Sequence, residues 1–390
     1  MENIVVVGGG HVGLTLAVDL ELRKNETRLS PHVVLLRNAD HPILARPKGQ
    51  AIEVEDILSG GVTRCDFPSQ SLHGISTDLG AIIADTRAIV ITVPDIPRVR
   101  KDLLAWVKSC KPHKDTSLVL VRSGQGGQIS VVDEWRRDPL LRQLNVILIE
   151  DSFYGTRYLE HKIAFKRKLS TKISVFGPSP DRALGLLGRM FSGPSVGADM
   201  HRFVVVRPLD LQFDPLGYII HLGVALDPLN LNHTRNGVQY LHYPAGIHEA
   251  NADRLEALDL ERLQMAARYG ARTMSFREIL KVQYGLRDQS SFLELMRSTR
   301  TIYRSLSAPS IDALRQGRII QEDVPGLLVM EWLAKHSGQE LPKTMAHAHE
   351  IRGALRQLDV DIAHHDGYVR HLEERRFDRR QVVDLLSDPA

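Results

Sequence analysis

The residues of this sequence that indicate chemistry most directly are the glycines close to its first residue. Gly8-Gly9-Gly10-His11-Val12-Gly13 has the spacing G-x-G-x-x-G. In such a turn the first glycine permits the bend, the second lets a pyrophosphate approach the backbone, and the third allows close helix packing. A helix N-terminus also offers free N–H groups to phosphates. The motif predicts a dinucleotide site at Gly8, Gly10, His11, Val12 and Gly13; the alternative is merely a tight strand-to-helix turn.

The residues after the second predicted strand bear on which nicotinamide cofactor binds. An acidic residue there would bind the ribose 2′-hydroxyl, but in this chain Leu36 is followed by Arg37, and Arg46 and Lys48 lie shortly beyond. A cation suits a 2′-phosphate. We therefore predict that Arg37 and Lys48 bind NADPH, with NADH as a second cofactor. The alternative for Arg37 is a solvated charge at a strand end.

Two further segments end predicted strands at the edge of a sheet where ligands bind. Thr92-Val93-Pro94 ends one strand, and Ser123-Gly124-Gln125-Gly126-Gly127 ends the next. Because ligands of doubly wound sheets bind at the carboxyl ends of the strands, we predict that Val93, Pro94 and Gly124 contact the cofactor. Both segments could instead be ordinary turns.

The elements that must position these residues alternate in the first half of the chain. Apolar, β-branched runs predict strands at residues 3–8, 33–36, 88–93, 117–121, 146–149 and 173–176. Such runs are typical of strands that are covered on both faces. Helical or polar stretches separate them, which favours an N-terminal Rossmann doubly wound parallel sheet in an α/β protein.

The second half reads as mostly α-helical. Amphipathic spacing predicts helices at residues 182–191, 255–269, 276–284, 292–306, 311–316, 324–336 and 344–358, with one strand at 203–206. The breaker cluster Gly177-Pro178-Ser179-Pro180 predicts domains at residues 1–180 and 181–390, although it could be a loop inside one domain. The charged segment 373–390 is either a surface helix or frayed.

Composition excludes several classes of function. The 390 residues carry 50 Lys and Arg against 47 Asp and Glu, a formal net charge of +3, so a broad nucleic-acid footprint is not expected. The longest charge-free apolar window near the middle, residues 215–226, is too short to span a bilayer, and the sequence starts without a signal peptide. Cys65 and Cys110 lack disulfide or zinc spacing. We expect a cytoplasmic protein.

Five segments together resemble the opine dehydrogenases. They are the glycine motif, the Thr-Val-Pro strand end, Asp151-Ser-Phe-Tyr-Gly-Thr-Arg-Tyr158, the region around His221, and Gly317-Arg-Ile-Ile-Gln-Glu-Asp-Val-Pro-Gly326. Within that family the chain is most similar to the branch that completes opine metallophores of the staphylopine and pseudopaline type. The resemblance implies an octopine-dehydrogenase-like helical domain and a homodimer.

The resemblance also implies a reaction. An NAD(P)H-dependent enzyme of this family condenses the amine of an amino acid, or of an aminobutanoyl-histidine intermediate, with pyruvate or 2-oxoglutarate. Reduction of the resulting imine leaves a secondary amine. This chemistry requires an acid-base group beside the carbonyl and a cation for the keto-acid carboxylate.

His221 is the acid-base candidate among 17 histidines. It lies in the apolar stretch Tyr218-Ile-Ile-His-Leu-Gly-Val-Ala-Leu226, where a histidine is either a satisfied core residue or a titrating group. The family places its catalytic histidine in a segment of this kind. Members often have proline after that histidine, where this chain has Leu222.

The resemblance implies three more catalytic residues. Arg318 and Asp323 match the arginine and aspartate that join the histidine in a relay, since an aspartate fixes the imidazole tautomer and an arginine grips a carboxylate. Asp323 before Val324-Pro325 could instead cap a helix. Asp151 matches an acidic position of the metallophore branch, and its alternative is a loop-capping role.

The remaining polar candidates are less specific. Tyr154, Arg157 and Tyr240 are candidate substrate contacts, each of which could be ordinary interdomain packing. His347, His349, His364 and His365 do not have metal-ligand spacing, so we expect surface histidines and no metal site.

Two rival functions remain open. A 2-hydroxy-acid, ketopantoate or glycerol-3-phosphate type dehydrogenase has the same domain plan, but it would usually use a lysine, and Lys281 is the only lysine in the middle of the helical domain. The chain could also be a sensor that binds NADP(H) without turnover.

Overall fold

The computed structural model describes residues 1–36, 51–57, 60–75, 79–159, 162–193, 201–286, 291–298 and 306–388. In these residues the strands, in chain order β1 to β12, are Glu2–Val7, Leu29–Leu35, Ile52–Asp56, Val62–Cys65, Leu72–Gly74, Thr86–Ile91, Ser117–Leu120, Asn145–Ile149, Tyr154–Leu159, Lys162–Arg167, Ser170–Phe176 and Arg202–Val205. The helices, α1 to α17, are His11–Leu22, Lys24–Thr27, Gly80–Ala84, Pro97–Ser109, Gln125–Arg137, Pro180–Met190, Pro208–Leu211, Gly217–Ala225, Pro228–Arg235, Glu249–Arg268, Phe276–Tyr284, Phe292–Ser298, Ile311–Gln316, Arg318–His336, Pro342–Gln357, Gly367–Glu374 and Arg379–Ser387. Short 3₁₀ turns occupy Ser69–Ser71, Leu141–Gln143 and Ile362–His364.

The first half folds around a large twisted sheet. Its strand order is β12-β11-β8-β7-β6-β1-β2-β5, and every neighbouring pair is parallel except β11 with β8. Val5 and Val7 pack into one apolar core while Ile4 and Val6 pack into another, so β1 is buried on both faces. The predicted Rossmann fold with a helical second domain is confirmed, and each predicted strand is present.

A second sheet was missed by the sequence analysis. It has four strands in the order β4-β3-β10-β9, and β9 packs against α1. The Oγ1 atoms of Thr15 and Thr156 lie 2.6 Å apart across this contact. Its strands mix charged residues with apolar ones, as in Ile52-Glu-Val-Glu-Asp56, and lack the continuous apolar run that marks the large sheet.

The breaker cluster at residues 177–180 is a turn within the first domain. Helix α6 follows it and packs back on β8 and β11, and β12 then adds a parallel strand to the same sheet. The large sheet thus continues to Val205, beyond the predicted division at residue 180.

The second half is helical, as predicted. Helices α11 and α13 have the predicted bounds, whereas α14 begins at Arg318, six residues before its predicted start. Helix α12 is described as far as Ser298, and residues 299–305 of that prediction lie outside the described residues. The charged C-terminal segment contains α17, whose Val382, Leu385 and Leu386 are buried, so this segment is packed rather than frayed.

Helix α14 joins the two halves. It packs against α8, α15 and α16 in the helical half and against α5 in the first half. One apolar core runs without interruption from Val7 and Leu120 under the sheet to Leu327 and Val329 on this helix. Burial on this scale fixes the helical half against the carboxyl edge of the large sheet. No described helix is long and apolar enough to cross a membrane.

Candidate functional site

The glycine turn has the geometry that a dinucleotide requires. Gly8 has φ +115°, a conformation that side chains rarely adopt, and a Cβ there would lie 2.8 Å from Thr92 Oγ1. A Cβ on Gly13 would overlap the Gly8 carbonyl, because helix and strand pack closely there. Gly10 is exposed, and a Cβ on it would meet nothing within 4 Å. The first and third glycines are thus needed for packing, and the second leaves the backbone open to a ligand.

His11 begins α1 at this turn. Its Nδ1 accepts a hydrogen bond of 2.7 Å from the backbone N–H of Tyr158, so the neutral ring carries its proton on Nε2. Burial, with the nearby charges of Arg157 and Arg318, lowers the pKa of His11. The ring therefore stays neutral at pH 7 and presents an N–H donor beside the glycine turn.

Arg157 and Arg318 bring positive charge to the same place from different halves of the protein. Arg157 lies on β9 and Arg318 on α14, and both act on His11. Two cations beside the open Gly10 backbone favour an anion there.

Of the other predicted cofactor contacts, Val93 and Pro94 lie in the part of the chain that the structure describes. Val93 is buried and packs beneath Gly8, and Pro94 follows it at the strand end. Thr92 Oγ1 donates to the Val7 carbonyl at 3.0 Å, which ties β6 to the glycine turn. Arg37 and Lys48 lie outside the described residues.

Side chains of the protein pack closely against the glycine-rich turn at Gly124. The Gly124 N–H donates to Asp95 Oδ2 at 2.6 Å, and a Cβ on Gly124 would lie 2.7 Å from that oxygen. A Cβ on Gly126 or Gly127 would overlap Tyr368 or Asp95 respectively. Packing therefore explains these glycines, and the prediction that Gly124 contacts the cofactor stays a prediction.

His221 and Asp323 form a pair across the helical half. His221 Nδ1 lies 2.7 Å from Asp323 Oδ2, and their side chains are 17% and 8% exposed. A Cβ on Gly217 would overlap Asp323 Oδ1, so the first residue of α8 must be small for the carboxylate to reach the imidazole. Asp323 lies inside α14, whose N-cap is Gly317, and the alternative that it caps a helix is wrong.

The pair opens into a cavity of about 110 Å³ between the two halves. Apolar walls come from Ile220, Tyr243 and Leu280 among others. The charged or titratable residues that line it are Arg122, Glu150, Asp151, Asp214, His221, Glu322 and Asp323. Sheet residues contribute from the carboxyl ends of β7 and β8, which is where doubly wound folds place their ligands.

Asp151 is held by two cations. Its carboxylate accepts from Arg122 Nε at 2.6 Å and from Lys168 Nζ, whose side chain is fully buried. Burial alone would raise the pKa of Asp151, but the charges of Arg122 and Lys168 outweigh it and hold this pKa far below its usual range. Asp151 is therefore a fixed negative charge that does not exchange protons near neutral pH.

The Glu322 carboxylate makes polar contacts with residues of both halves of the protein. It forms an ion pair with Arg318, whose Nε lies 3.0 Å away, and accepts hydrogen bonds from Arg122 Nη1 at 3.3 Å and from the backbone N–H of Asp95 at 3.2 Å. Arg318 is 39% exposed and does not contact His221 or Asp323 in this structure. Glu322, one helical turn further along α14, holds the Arg318 guanidinium by this ion pair. The charge of Arg318 still acts on His11 at the glycine turn.

Glu150 and Asp214 are buried carboxylates of the cavity wall. Glu150 Oε1 accepts from the Lys172 N–H at 2.8 Å and from Gln283 Nε2 at 3.1 Å, and Asp214 is paired with Lys172 Nζ at 2.8 Å. Burial, reinforced by the charge of Asp214, raises the pKa of Glu150 to about 7. The cavity thus holds one carboxyl group that titrates near neutral pH.

Comparison with known proteins identifies the helical half. Residues 205–353 match the family model described as NAD/NADP octopine/nopaline dehydrogenase, alpha-helical domain. The matched residues lie in the helical half, which is therefore similar to the alpha-helical domain of that family. This domain starts where β12 ends, which agrees with a sheet that continues to Val205. No curated protein matches the sequence.

Solved structures show the same two-domain fold. Octopine dehydrogenase with NADH and L-arginine is 16% identical over 92% of this chain and 90% of that chain, with a TM-score of 0.65. Yersinopine dehydrogenase with NADP+ bound is 14% identical over 100% and 98%, with a TM-score of 0.68. A 2-dehydropantoate 2-reductase from Geobacter metallireducens is 14% identical over 90% and 99%, with a TM-score of 0.57.

The predicted substrate contacts lie in three different environments. Tyr154 is buried and donates a hydrogen bond of 2.7 Å from its hydroxyl to Asp19 Oδ2 on α1, so it stabilises the first domain, and it does not line the cavity. Tyr240 packs beside His233 and does not line the cavity between the two halves, whereas Tyr243 does. Arg157 is the one of the three that lies near the glycine turn.

The histidines expected at the surface are divided. His349 and His364 are exposed, but His347 and His365 are buried, so that expectation was wrong for two of the four. His347 Nε2 lies 2.8 Å from the Tyr218 carbonyl, and burial lowers its pKa to about 4. This buried histidine supports α8 from α15. In the described ranges there is no group of three or more metal-ligating side chains.

Several site residues escaped the sequence analysis. Arg122, Lys168 and Glu322 each contact a residue more than 100 positions away in the chain, and such pairing has no local pattern. Asp151 and Asp323 were predicted as site residues. Glu150 immediately precedes the first of them and Glu322 the second, and this adjacency is the only sequence feature that pointed to the two glutamates. Lys281, the candidate base of a rival function, does not line the cavity.

Proposed function

We propose that the protein is an NAD(P)H-dependent opine dehydrogenase, an oxidoreductase that acts on CH–NH groups. It would condense the amine of an amino acid or an aminobutanoyl-histidine type of amine with pyruvate or 2-oxoglutarate. The observation that carries the proposal is the His221–Asp323 pair, at 2.7 Å, in a cavity closed by the carboxyl edge of the sheet and by an octopine dehydrogenase-type domain.

His221 is proposed to move the protons of the condensation. With Asp323 accepting from its Nδ1–H, the imidazole has its other nitrogen, Nε2, available for the substrates. Nε2 takes a proton from the substrate ammonium, and the free amine attacks the keto carbon. The same nitrogen returns this proton to the former carbonyl oxygen, and a second proton, lost by the attacking nitrogen, completes the water that leaves when the imine forms. Asp323 stabilises the imidazolium between these steps.

The residues of the glycine turn fit a dinucleotide, because Gly10 is open and Gly8 and Gly13 are closed by packing. When bound, the reduced nicotinamide supplies the hydride that reduces the substrate imine. Gly8, Gly10, His11, Val12 and Gly13 would hold its pyrophosphate. We propose NADPH as the preferred form, with Arg37 and Lys48 binding the 2′-phosphate.

Arg318 is proposed to bind the keto-acid carboxylate. Its Nε is fixed by Glu322 at 3.0 Å, which leaves the rest of the guanidinium to face a ligand, and Arg157 adds a second positive charge from β9. The carboxylates of the cavity wall suit an amine as the other substrate. Asp151 contributes as a fixed negative charge held by Arg122 and Lys168.

The finer proposal is a role in making an opine metallophore, by a cytoplasmic homodimer. The motif resemblance supports the metallophore branch, and the matching fold of yersinopine dehydrogenase agrees with it. Product analysis by mass spectrometry tests the branch, and sedimentation velocity tests the dimer.

An NADPH oxidation assay tests the reaction. We expect oxidation that requires an amine and a 2-keto acid together and that is lost in His221→Ala. Oxidation with a keto acid alone would instead identify a keto-acid reductase of the 2-dehydropantoate type. Cofactor binding without turnover across a broad panel of amines and keto acids would favour a sensor.

A further inference from the structure

The glycine-rich turn at residues 123–127 is packed around one buried carboxylate. Asp95 follows β6 and is 2% exposed. Its Oδ2 accepts from the Gly124 N–H at 2.6 Å, and its Oδ1 accepts from Arg100 Nε at 3.0 Å and from the Tyr368 hydroxyl at 2.6 Å. The carboxylate thus holds Gly124, the residue before α5, from 29 residues away and is neutralised by a buried arginine.

Tyr368 reaches this carboxylate from the other half of the protein. It lies on α16, is 5% exposed, and packs so closely on α5 that a Cβ on Gly126 would overlap its ring. Gly367 is similarly close to Pro97, where a Cβ would lie 2.8 Å from the proline Cβ. The two halves of the protein are therefore closely packed at this contact.

From Asp95 two paths of hydrogen bonds lead to the helices of the catalytic pair. Gly124 precedes Gln125, whose Nε2 donates at 2.5 Å to the Pro215 carbonyl just before α8, the helix of His221. The backbone N–H of Asp95 donates to Glu322 Oε1, which adjoins Asp323 on α14. Gly124, Gln125 and Glu322 all line the cavity.

We infer that Tyr368 is a positioning residue, which acts through Asp95 to set the α5 turn and Glu322 against the His221–Asp323 pair. Without the Tyr368 hydroxyl, the Asp95 carboxylate loses one of its three hydrogen-bond donors and can move toward Arg100 and away from Gly124. Chemistry that depends on alignment would slow, while the glycine turn that binds the dinucleotide is untouched. This role rests on the proposed function.

Tyr368→Phe tests the inference, because it removes the hydroxyl and keeps the ring. Tyr269→Phe is the matched control. Tyr269 is also buried, and its hydroxyl donates to the Leu333 carbonyl at 2.9 Å, entirely within the helical half and outside the cavity wall. Both variants lose one buried tyrosine hydrogen bond, so a similar loss of thermal stability is expected in each.

Two measurements distinguish a positioning role of Tyr368 from a role that only stabilises the fold. Hydrogen exchange measured by mass spectrometry should become roughly tenfold faster in the segment 122–128 of Tyr368→Phe and stay unchanged there in Tyr269→Phe. For the condensation, kcat should fall roughly tenfold in Tyr368→Phe only, with the KM for NADPH within about twofold of wild type.

The inference is overturned if the two variants have the same exchange in this segment, or if exchange quickens in Tyr368→Phe while kcat stays at the wild-type value. Failure of the proposed function would look different. The wild-type protein would then show no turnover that depends on an amine, whereas the exchange comparison would still decide whether Tyr368 orders the α5 turn.

Discussion

His221 Nδ1 and Asp323 Oδ2 lie 2.7 Å apart although the residues are 102 positions apart in the chain. Each side chain projects from a helix, α8 or α14, and these two helices pack directly on each other. The pair is thus held by rigid elements, which is the arrangement that an acid-base group needs for a constant geometry.

Replacing His221 by Asn should abolish condensation and preserve cofactor binding. Loss of the group that moves the protons is expected to lower kcat about a thousandfold. NADPH binding, measured by fluorescence titration, should stay near normal because the glycine turn is unaffected. The exposed His349→Asn is the control and should behave as wild type. Turnover near the wild-type rate in His221→Asn would remove this residue from the mechanism.

Gly217→Ala should separate His221 and Asp323 without changing either residue. The added methyl group would overlap Asp323 Oδ1, so the carboxylate must move away from the imidazole. We expect kcat to fall about a hundredfold with a normal KM for NADPH. Gly188→Ala on α6 is the control, since nothing lies within 4 Å of its Cβ position, and it should stabilise the protein by up to ~1 kcal/mol. Equal activity of the two variants would contradict the assignment of Gly217.

Glu150 should make stability depend on pH in a defined window. Its pKa is raised from an ordinary 4.5 to about 7, chiefly by burial and then by the charge of Asp214. The native state therefore holds a proton that the unfolded chain releases, and the stability this provides is present in full below pH 4.5 and is lost as the pH rises through about 7.

Glu150→Gln removes that dependence. The Tm of the variant relative to wild type should increase between pH 5 and pH 8, on the order of a few degrees. The exposed Glu374→Gln should instead follow the wild-type curve at a constant offset. Parallel curves for wild type and Glu150→Gln would show that Glu150 has no raised pKa.

Arg37→Asp should shift cofactor preference from NADPH toward NADH. A carboxylate at this position repels a 2′-phosphate and can bind the 2′-hydroxyl instead, so the ratio of kcat/KM for NADPH to that for NADH should fall roughly tenfold or more. Glu53→Gln, a change on β3 that lies outside the cavity wall, is the control. An unchanged ratio in Arg37→Asp would point to Arg46 or Lys48.

The sequence predicted the large sheet well because its strands are continuous β-branched runs, as in Ile4 to Val7. The predicted bounds of α11 agree with the structure, in which Ser275 and Glu278 form a capping box and Gly285, in the left-handed conformation, ends the helix. The second sheet was missed because short strands with mixed charges resemble loops. The turn at 177–180 was taken for a boundary because breaker residues do not reveal whether the chain returns to the same sheet.

The candidate site was predicted in part. The glycine turn has a local signature, and His221 and Asp323 came from a family resemblance. Arg122, Lys168 and Asp95 could not be found in this way, because each acquires its role from a partner in another part of the fold. Tyr154 was misjudged for the same reason, since nothing near it in sequence indicates that Asp19 takes its hydroxyl.

Glu322 and Asp323 are consecutive on α14 yet serve different partners, the arginines and the imidazole. Consecutive helical residues are about 100° apart, so one insertion or deletion between Gly317 and Glu322 would rotate both carboxylates by that angle and shift them by about 1.5 Å. Both functions would be lost together, and neither could be restored by a point substitution. Length changes among homologous chains are therefore expected to avoid this helical turn and to accumulate in the loops around it.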